Sequence, residues 1–257
     1  MSKKLSLMDL YNVGAHRGNH RSRLNPKLKK HVHKFDTNQL AVIDLSQTSE
    51  TVDRISSLFY KLGTKKRQAF IVGTSKYIKD FTVEFAKSFT GDTMPYVDNR
   101  WLGGTVTNWP TVKKTLKSLE KVESIINNTE FFDKLSRNEQ LSMTRECEKK
   151  QSLFGGLKFL RSNHPGVIIV LDAVRNYNAI LEGQTAGVPV VIFGNVNTKL
   201  LPKNKDNIIV CNNTSVDTVR MISQVFVESY NDGLLVGAAA MATEKNEKAI
   251  KKVFVPR

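Results

Sequence analysis

Only two cysteines occur in the chain, Cys147 and Cys211, far apart and in no C-x-x-C pair. Their scarcity excludes a disulfide scaffold and a four-cysteine zinc site, and it suits a reducing compartment. Long hydrophobic runs are missing too. The longest, around Leu234–Ala242, is too short and too alanine-rich to cross a bilayer. The opening residues, MSKKLSLMDL, lack the apolar core and small-residue cleavage site of a secretory signal. A soluble, intracellular protein is expected. The chain contains no G-x-G-x-x-G, no G-x-x-x-x-G-K-[ST] and no G-x-S-x-G, the signatures of dinucleotide sites, phosphate loops and α/β-hydrolases. Internal repeats and low-complexity blocks are absent as well.

Acidic residues are also few: 24 Asp and Glu face 39 Lys and Arg, a formal net charge of +15 over 257 residues. Self-repulsion of that size disfavours a compact monomer and points to a polyanionic partner. Nucleic acid leads, because each phosphate neutralised by Lys or Arg releases counterions. An anionic membrane surface is the competing partner. The charge is concentrated at the start. Residues 1–34 hold nine Lys and Arg against one acid, Asp9, and four of the five histidines. A solvated basic arm is the plain reading of such a segment.

Beyond it, short β-branched runs alternate with helical periodicity. Residues 41–45 read as a strand and 49–62 as a helix with Val52, Ile55, Leu58, Phe59 and Leu62 on one face. Residues 69–73 form a second strand, followed by Thr74 and Ser75 as candidate caps for a helix carrying Ile78, Phe81, Phe85 and Phe89. Residues 94–97, 167–171, 188–193 and 207–210 are further extended pieces. Their apolar runs are continuous rather than alternating, so helices should cover both faces of a parallel sheet. The stretch 111–155 interrupts this pattern. Val112, Leu116, Leu119, Val122 and Ile126 share one helix face, and Ser136 with Glu139 forms a capping box for a second, mostly polar helix. A projecting antiparallel hairpin follows. The C-terminal helix is expected from about Thr214, with Asp217 in its capping box. The expected organisation is a basic N-terminal arm (1–36), a doubly wound α/β domain (37–110 and 156–240), the hairpin insertion (111–155) and a Lys/Glu-rich surface tail (241–257).

Two segments carry recognisable chemistry. In Gly14–Leu28 (GAHRGNHRSRLNPKL), two glycines permit tight turns and close approach to phosphate. Arg17, Arg21 and Arg23 offer forked donors, Lys27, Lys29 and Lys30 offer point charges, and Asn25-Pro26 sets a turn that aims them. In Asn99–Trp109 (NRWLGGTVTNW), both tryptophans flank a Gly-Gly pair. They suit either base stacking or, the reading preferred here, the core. Gly73–Lys76 follows a strand as phosphate loops do, without their spacing. His16, His20, His31 and His33 offer nitrogen ligands in a strongly positive surround that repels a cation. Asp44 and Asp172, at strand ends, read as caps.

These two segments resemble the small-subunit ribosomal protein two family in its bacterial form. The family's GAHFGH followed by basic residues and NPKM corresponds to residues 14–28, and its RWLGG…TNW to Arg100–Trp109. VGTSK at 72–76, TVKKTLKSLEKVE from 111, FDKLS at 132–136, TRECEKKQSLFGGLK at 144–158, Asp172-Ala173 and Gly187-Val-Pro189 continue the likeness over about residues 7–235. Arg17, Asn19, His20 and Leu24 depart from the pattern. So does Asn195–Lys199, where many members carry Asp-x-Asn-x-Asp, which removes the basis for a bound cation.

The resemblance implies a flavodoxin-like domain with a helical hairpin, seated near the head–body junction of the small ribosomal subunit. It implies contact with small-subunit ribosomal RNA and neighbouring ribosomal proteins, and no enzymatic activity; no cofactor, metal, membrane or small-molecule substrate is expected. The RNA-binding residues expected are His16, Arg17, His20, Arg21, Arg23, Asn25, Lys27, Lys29, Lys30, Arg100, Asn108, Lys113 and Lys114, with Lys117 and Lys121 extending the basic surface. Bacterial cytoplasm is the expected location, an organellar ribosome the alternative. An α/β enzyme binding a phosphorylated ligand at Gly73–Lys76 and a ribosome-assembly factor are the rival functions.

Overall fold

The computed structural model describes residues 5–162, 164–199 and 207–253, and the side chains of all of these except 130, 131 and 240–253. Five strands, β4 (Ala69–Val72), β5 (Tyr96–Val97), β6 (Val167–Val170), β7 (Val190–Gly194) and β8 (Ile208–Val210), form one parallel sheet in the order β5-β4-β6-β7-β8. This is the flavodoxin-like order 2-1-3-4-5. The continuous apolar runs are explained by the two-residue period of a strand with both faces buried. Phe70, Val72, Ile168, Val170, Val190 and Ile192 enter one core, and Ala69, Ile71, Val167, Ile169, Val191 and Phe193 the other.

The second core is closed by α2 (Leu45–Thr64), α3 (Lys79–Lys87) and α8 (Val216–Val253). Stacked Phe59 and Phe226 tie α2 to α8 at 4.8 Å. The first core is closed by α7 (Tyr177–Thr185), the Trp101 segment and the start of α4 (Trp109–Asn127). The hairpin consists of α4, a short α5 (Thr129–Phe132) and α6 (Arg137–Phe154). Ser136 and Glu139 form the expected capping box: Ser136 N–H donates to Glu139 Oε2 at 2.9 Å, and Glu139 N–H to Ser136 Oγ at 3.4 Å. Val112, Leu116, Leu119 and Cys147 are buried, whereas Val122 and Ile126 are only half-buried. The seam thins towards the tip, as it does in a helical pair that leaves the body of the domain.

Five expectations are corrected. Residues 41–45 do not join the parallel sheet. Strand β3 (Leu40–Ile43) pairs antiparallel with β1 (Arg17–His20) and β2 (Val32–Phe35), because only Ala41 and Ile43 on one face are buried. Asp44 then caps α2, its Oδ1 accepting from Ser46 N–H at 3.0 Å, so the helix starts at residue 45 rather than 49. Neither Thr74 nor Ser75 caps α3 through its side chain. A turn intervenes in which Ser75 C=O accepts from Ile78 and Lys79 N–H. At α8, Ser215 Oγ rather than Thr214 accepts from Thr218 N–H, while Thr214 Oγ1 donates to Asn212 Oδ1. Finally, α8 continues to Val253, across most of the stretch whose composition suggests a tail. Residues 254–257 lie outside the described residues.

Candidate nucleic-acid interface

The basic segment is built into the domain. Leu10, Ala15 and Leu28 are fully buried. Gly14 takes a positive φ of 74°, turning the chain into β1. At Gly18 a Cβ would lie 2.7 Å from Ala41 C=O, so this glycine serves close strand packing rather than approach to a ligand. Asn25 locks the next turn. Its Oδ1 accepts from Lys27 N–H at 3.1 Å, its Nδ2 donates to Thr198 C=O at 2.7 Å, and its own N–H donates to Val196 C=O. Asn19 N–H donates to Asn195 Oδ1 at 3.0 Å. Residues 19–25 are thereby fastened to the loop that follows β7.

This fastening sorts the expected RNA-binding residues. Asn25 is turned inward and positions its neighbours. His16 stacks on Tyr11 at 4.4 Å, and burial, then the Arg17 guanidinium, lowers its pKa from the ordinary imidazole value. His20 Nδ1 accepts from Ser22 N–H at 3.2 Å. Arg21 lies over the Phe35 ring at 5.3 Å, a contact that fixes the stem of an exposed cation. Arg17, Arg21, Arg23, Lys27, Lys29 and Lys30 are all exposed. Among the described residues none of these six is in an ion pair, so the charge is uncompensated.

His31 is buried, with burial and then Lys30 lowering its pKa against the opposing pull of Asp44. Among the described residues no three His, Cys, Asp or Glu side chains stand together as metal ligands.

The Trp101 segment is organised by a residue that sequence inspection missed. Glu182, on α7, accepts from Trp101 Nε1 at 2.9 Å and from Gly104 N–H at 2.8 Å through Oε1, and from Val106 N–H at 3.3 Å through Oε2. A buried tryptophan needs a partner for its indole N–H, which is the signal that could have prompted a search for one. Trp101 is buried beside Phe70 at 5.5 Å, and Trp109 is half-buried on the same core, as the core reading expects. Arg100 and Asn108 are exposed on either side, Asn108 Oδ1 accepting from Thr111 Oγ1. Lys113, Lys114, Lys117 and Lys121 are exposed along α4, while Val112, Leu116 and Leu119 turn to the core.

Because the sheet is parallel, the loops leaving β4, β5, β6 and β7 share its carboxyl edge. They bring Lys76, Arg100, Arg175 and Lys199 to the edge on which the basic segment is fastened. Lys199 lies over the Tyr177 ring at 5.9 Å. In open α/β sheets the crevice between β4 and β6 is the usual ligand position. Here it is spanned by the protein's own groups: Thr74 Oγ1 donates to Asn176 Oδ1 at 2.9 Å and Arg175 Nη1 to Thr74 C=O at 3.4 Å. Gly73 N–H is committed to Val97 C=O, so the Gly73–Lys76 turn is no open cradle of amides. Asp172 caps the following turn through Val174 and Arg175 N–H.

Fold and edge together define the class: a flavodoxin-like α/β protein with a hairpin insertion and a basic carboxyl edge suited to a polyanion. The family model described as Ribosomal protein S2 matches residues 10–233, and the chain belongs to that family. It is 32% identical over 240 residues to the small ribosomal subunit protein uS2 of Vibrio cholerae, covering 93% of this chain and 95% of the relative. It is 29% identical to the protein of that name from Salinibacter ruber over 248 residues, 96% of this chain and 74% of the relative. The Sulfurimonas denitrificans protein is 31% identical over 229 residues, 89% and 85% of the two chains. The family is a structural component of the ribosome, not an enzyme. No helix among the described residues is long and apolar enough to cross a membrane.

Proposed function

We propose that this chain is a structural constituent of the small ribosomal subunit, holding small-subunit ribosomal RNA near the head–body junction and touching neighbouring ribosomal proteins. The observation that carries the reading is the set of unpaired cations from Arg17 to Lys30, fastened through Asn19 and Asn25 to an edge that also holds Arg100 and Lys199. Phosphate contacts of this kind fix position without reading sequence. Lys113 and Lys114 extend the surface onto the hairpin root. Bacterial cytoplasm is the matching location, given relatives named as small-subunit proteins in bacteria.

Sedimentation of a gentle lysate on sucrose gradients tests the proposal. Near-stoichiometric migration with small subunits and whole ribosomes, lost at high salt, is expected. Arg21→Glu with Arg23→Glu should lower subunit incorporation. Recovery of the wild-type chain only in light fractions would sink the ribosomal role; full incorporation of the double variant would remove these arginines from it.

A further inference from the structure

At the opposite, amino edge of the same strand pair, the turn entering β4 and the loop entering β6 lie side by side, since Ala69 pairs with Val167. Between them is a cavity of about 260 Å³ walled by Lys66, Arg67, Gln68, Arg161, Ser162 and His164, with no carboxylate among the described residues of its lining. Gln68 staples the walls together. Its Nε2 donates to Phe159 C=O at 2.8 Å, and its Oε1 accepts from Arg161 N–H at 3.0 Å. Arg161 also pairs with Asp92, which lines the neighbouring groove rather than this cavity.

Lys66 adds a second observation. It follows α2 with φ of 51°, the left-handed position normally given to glycine. Lys66 N–H donates to Gly63 C=O and Arg67 N–H to Leu62 C=O, the two bonds of a Schellman cap. Glycine would take this conformation freely, so the turn itself does not require a lysine, and the residue places an ammonium group at the rim of the cavity.

We infer that this amino-edge cavity is a second phosphate-binding site, taking the RNA backbone independently of the carboxyl edge. The inference rests on the RNA-binding role proposed above and extends it: the domain is held by RNA at both ends of β4 and β6. Lys66 and Arg67, in no ion pair among the described residues, supply charge, and Arg161 shares its own with Asp92.

The test is binding of the full chain to protein-free small-subunit RNA, followed between about 50 and about 200 mM salt. Three chains are compared: wild type, Lys66→Gly with Arg67→Gln, and Arg21→Gln with Arg23→Gln. Losing two phosphate contacts makes the slope of log K against log salt shallower by about 1.4–1.8. That change is expected in both variants. Thermal unfolding adds a readout that a capping role would move the other way: glycine relieves the strain at position 66, so Tm should hold or rise while RNA affinity falls. If the Lys66/Arg67 variant binds like wild type and the Arg21/Arg23 variant is weakened, the second site is overturned and the carboxyl-edge reading stands. If wild type shows no salt-dependent binding, both fall.

Discussion

Glu182 and Trp101 are joined across 81 residues by a hydrogen bond of 2.9 Å from indole Nε1 to carboxylate Oε1. The same carboxylate takes the N–H groups of Gly104 and Val106, so one side chain shapes the loop that presents Arg100 and Asn108. Glu182→Ala leaves these donors without their partner and should cost about 2–3 kcal/mol. Glu182→Gln keeps one acceptor oxygen and should cost about 1 kcal/mol. Urea unfolding measures both, and the alanine variant should also red-shift tryptophan emission as Trp101 gains water. A Glu182→Ala chain within about 0.5 kcal/mol of wild type, the range of ordinary surface changes, would deny the carboxylate this role.

Asn195 plays the matching part for the basic segment. It is buried, and its Oδ1 accepts from Asn19 N–H and from Val196 N–H at 2.7 Å. Both Asn19 and Asn195 depart from the pattern of the family resemblance, and here they meet. Asn195→Ala removes the side-chain acceptor of Asn19 N–H and should cost about 1–3 kcal/mol. It should also raise amide exchange at residues 19–25. Asn195→Asp keeps the acceptor and should protect those amides as wild type does. Unchanged exchange in the alanine variant would mean that Asn25 and Leu28 fasten the segment by themselves.

Legibility in the sequence followed the range of the forces. The parallel sheet was readable because Val167–Val170 and Val190–Phe193 are apolar without interruption, a local consequence of burial on two faces. The Ser136–Glu139 box was readable because both partners lie within one helical turn. Strand β1 was not: its residues, Arg-Gly-Asn-His, show no apolar alternation, and their strand geometry comes from pairing with Val42 and Leu40. The cations of the site were visible as composition. Which of them face solvent was not, because Asn25 is turned inward by Thr198, 173 residues away. Glu182 escaped for the same reason, its partners lying 76 to 81 residues distant.

Cys211 gives a prediction in pH. It is wholly buried at the end of β8, and burial alone pushes its thiol up to about 12 from an ordinary 9.0. Below pH 9 the thiol is protonated in both folded and unfolded chains, so its ionisation does not affect stability. Between 9 and about 12 the unfolded chain loses the proton while the folded chain keeps it. Stability must then fall as pH rises, at up to about 1.4 kcal/mol per pH unit from this group. Cys211→Ala should flatten that part of the alkaline profile relative to wild type, whatever its effect on stability at neutral pH. In the native chain at pH 8 a thiol reagent should leave Cys211 unmodified and reach it at the rate of unfolding, because the thiolate is the nucleophile. Rapid modification of Cys211 under native conditions, read by mass spectrometry, would show that the carboxyl end of β8 opens locally, next to Asn212, whose N–H donates to Ala15 C=O at 3.1 Å and whose Nδ2 donates to Gly14 C=O at 3.4 Å.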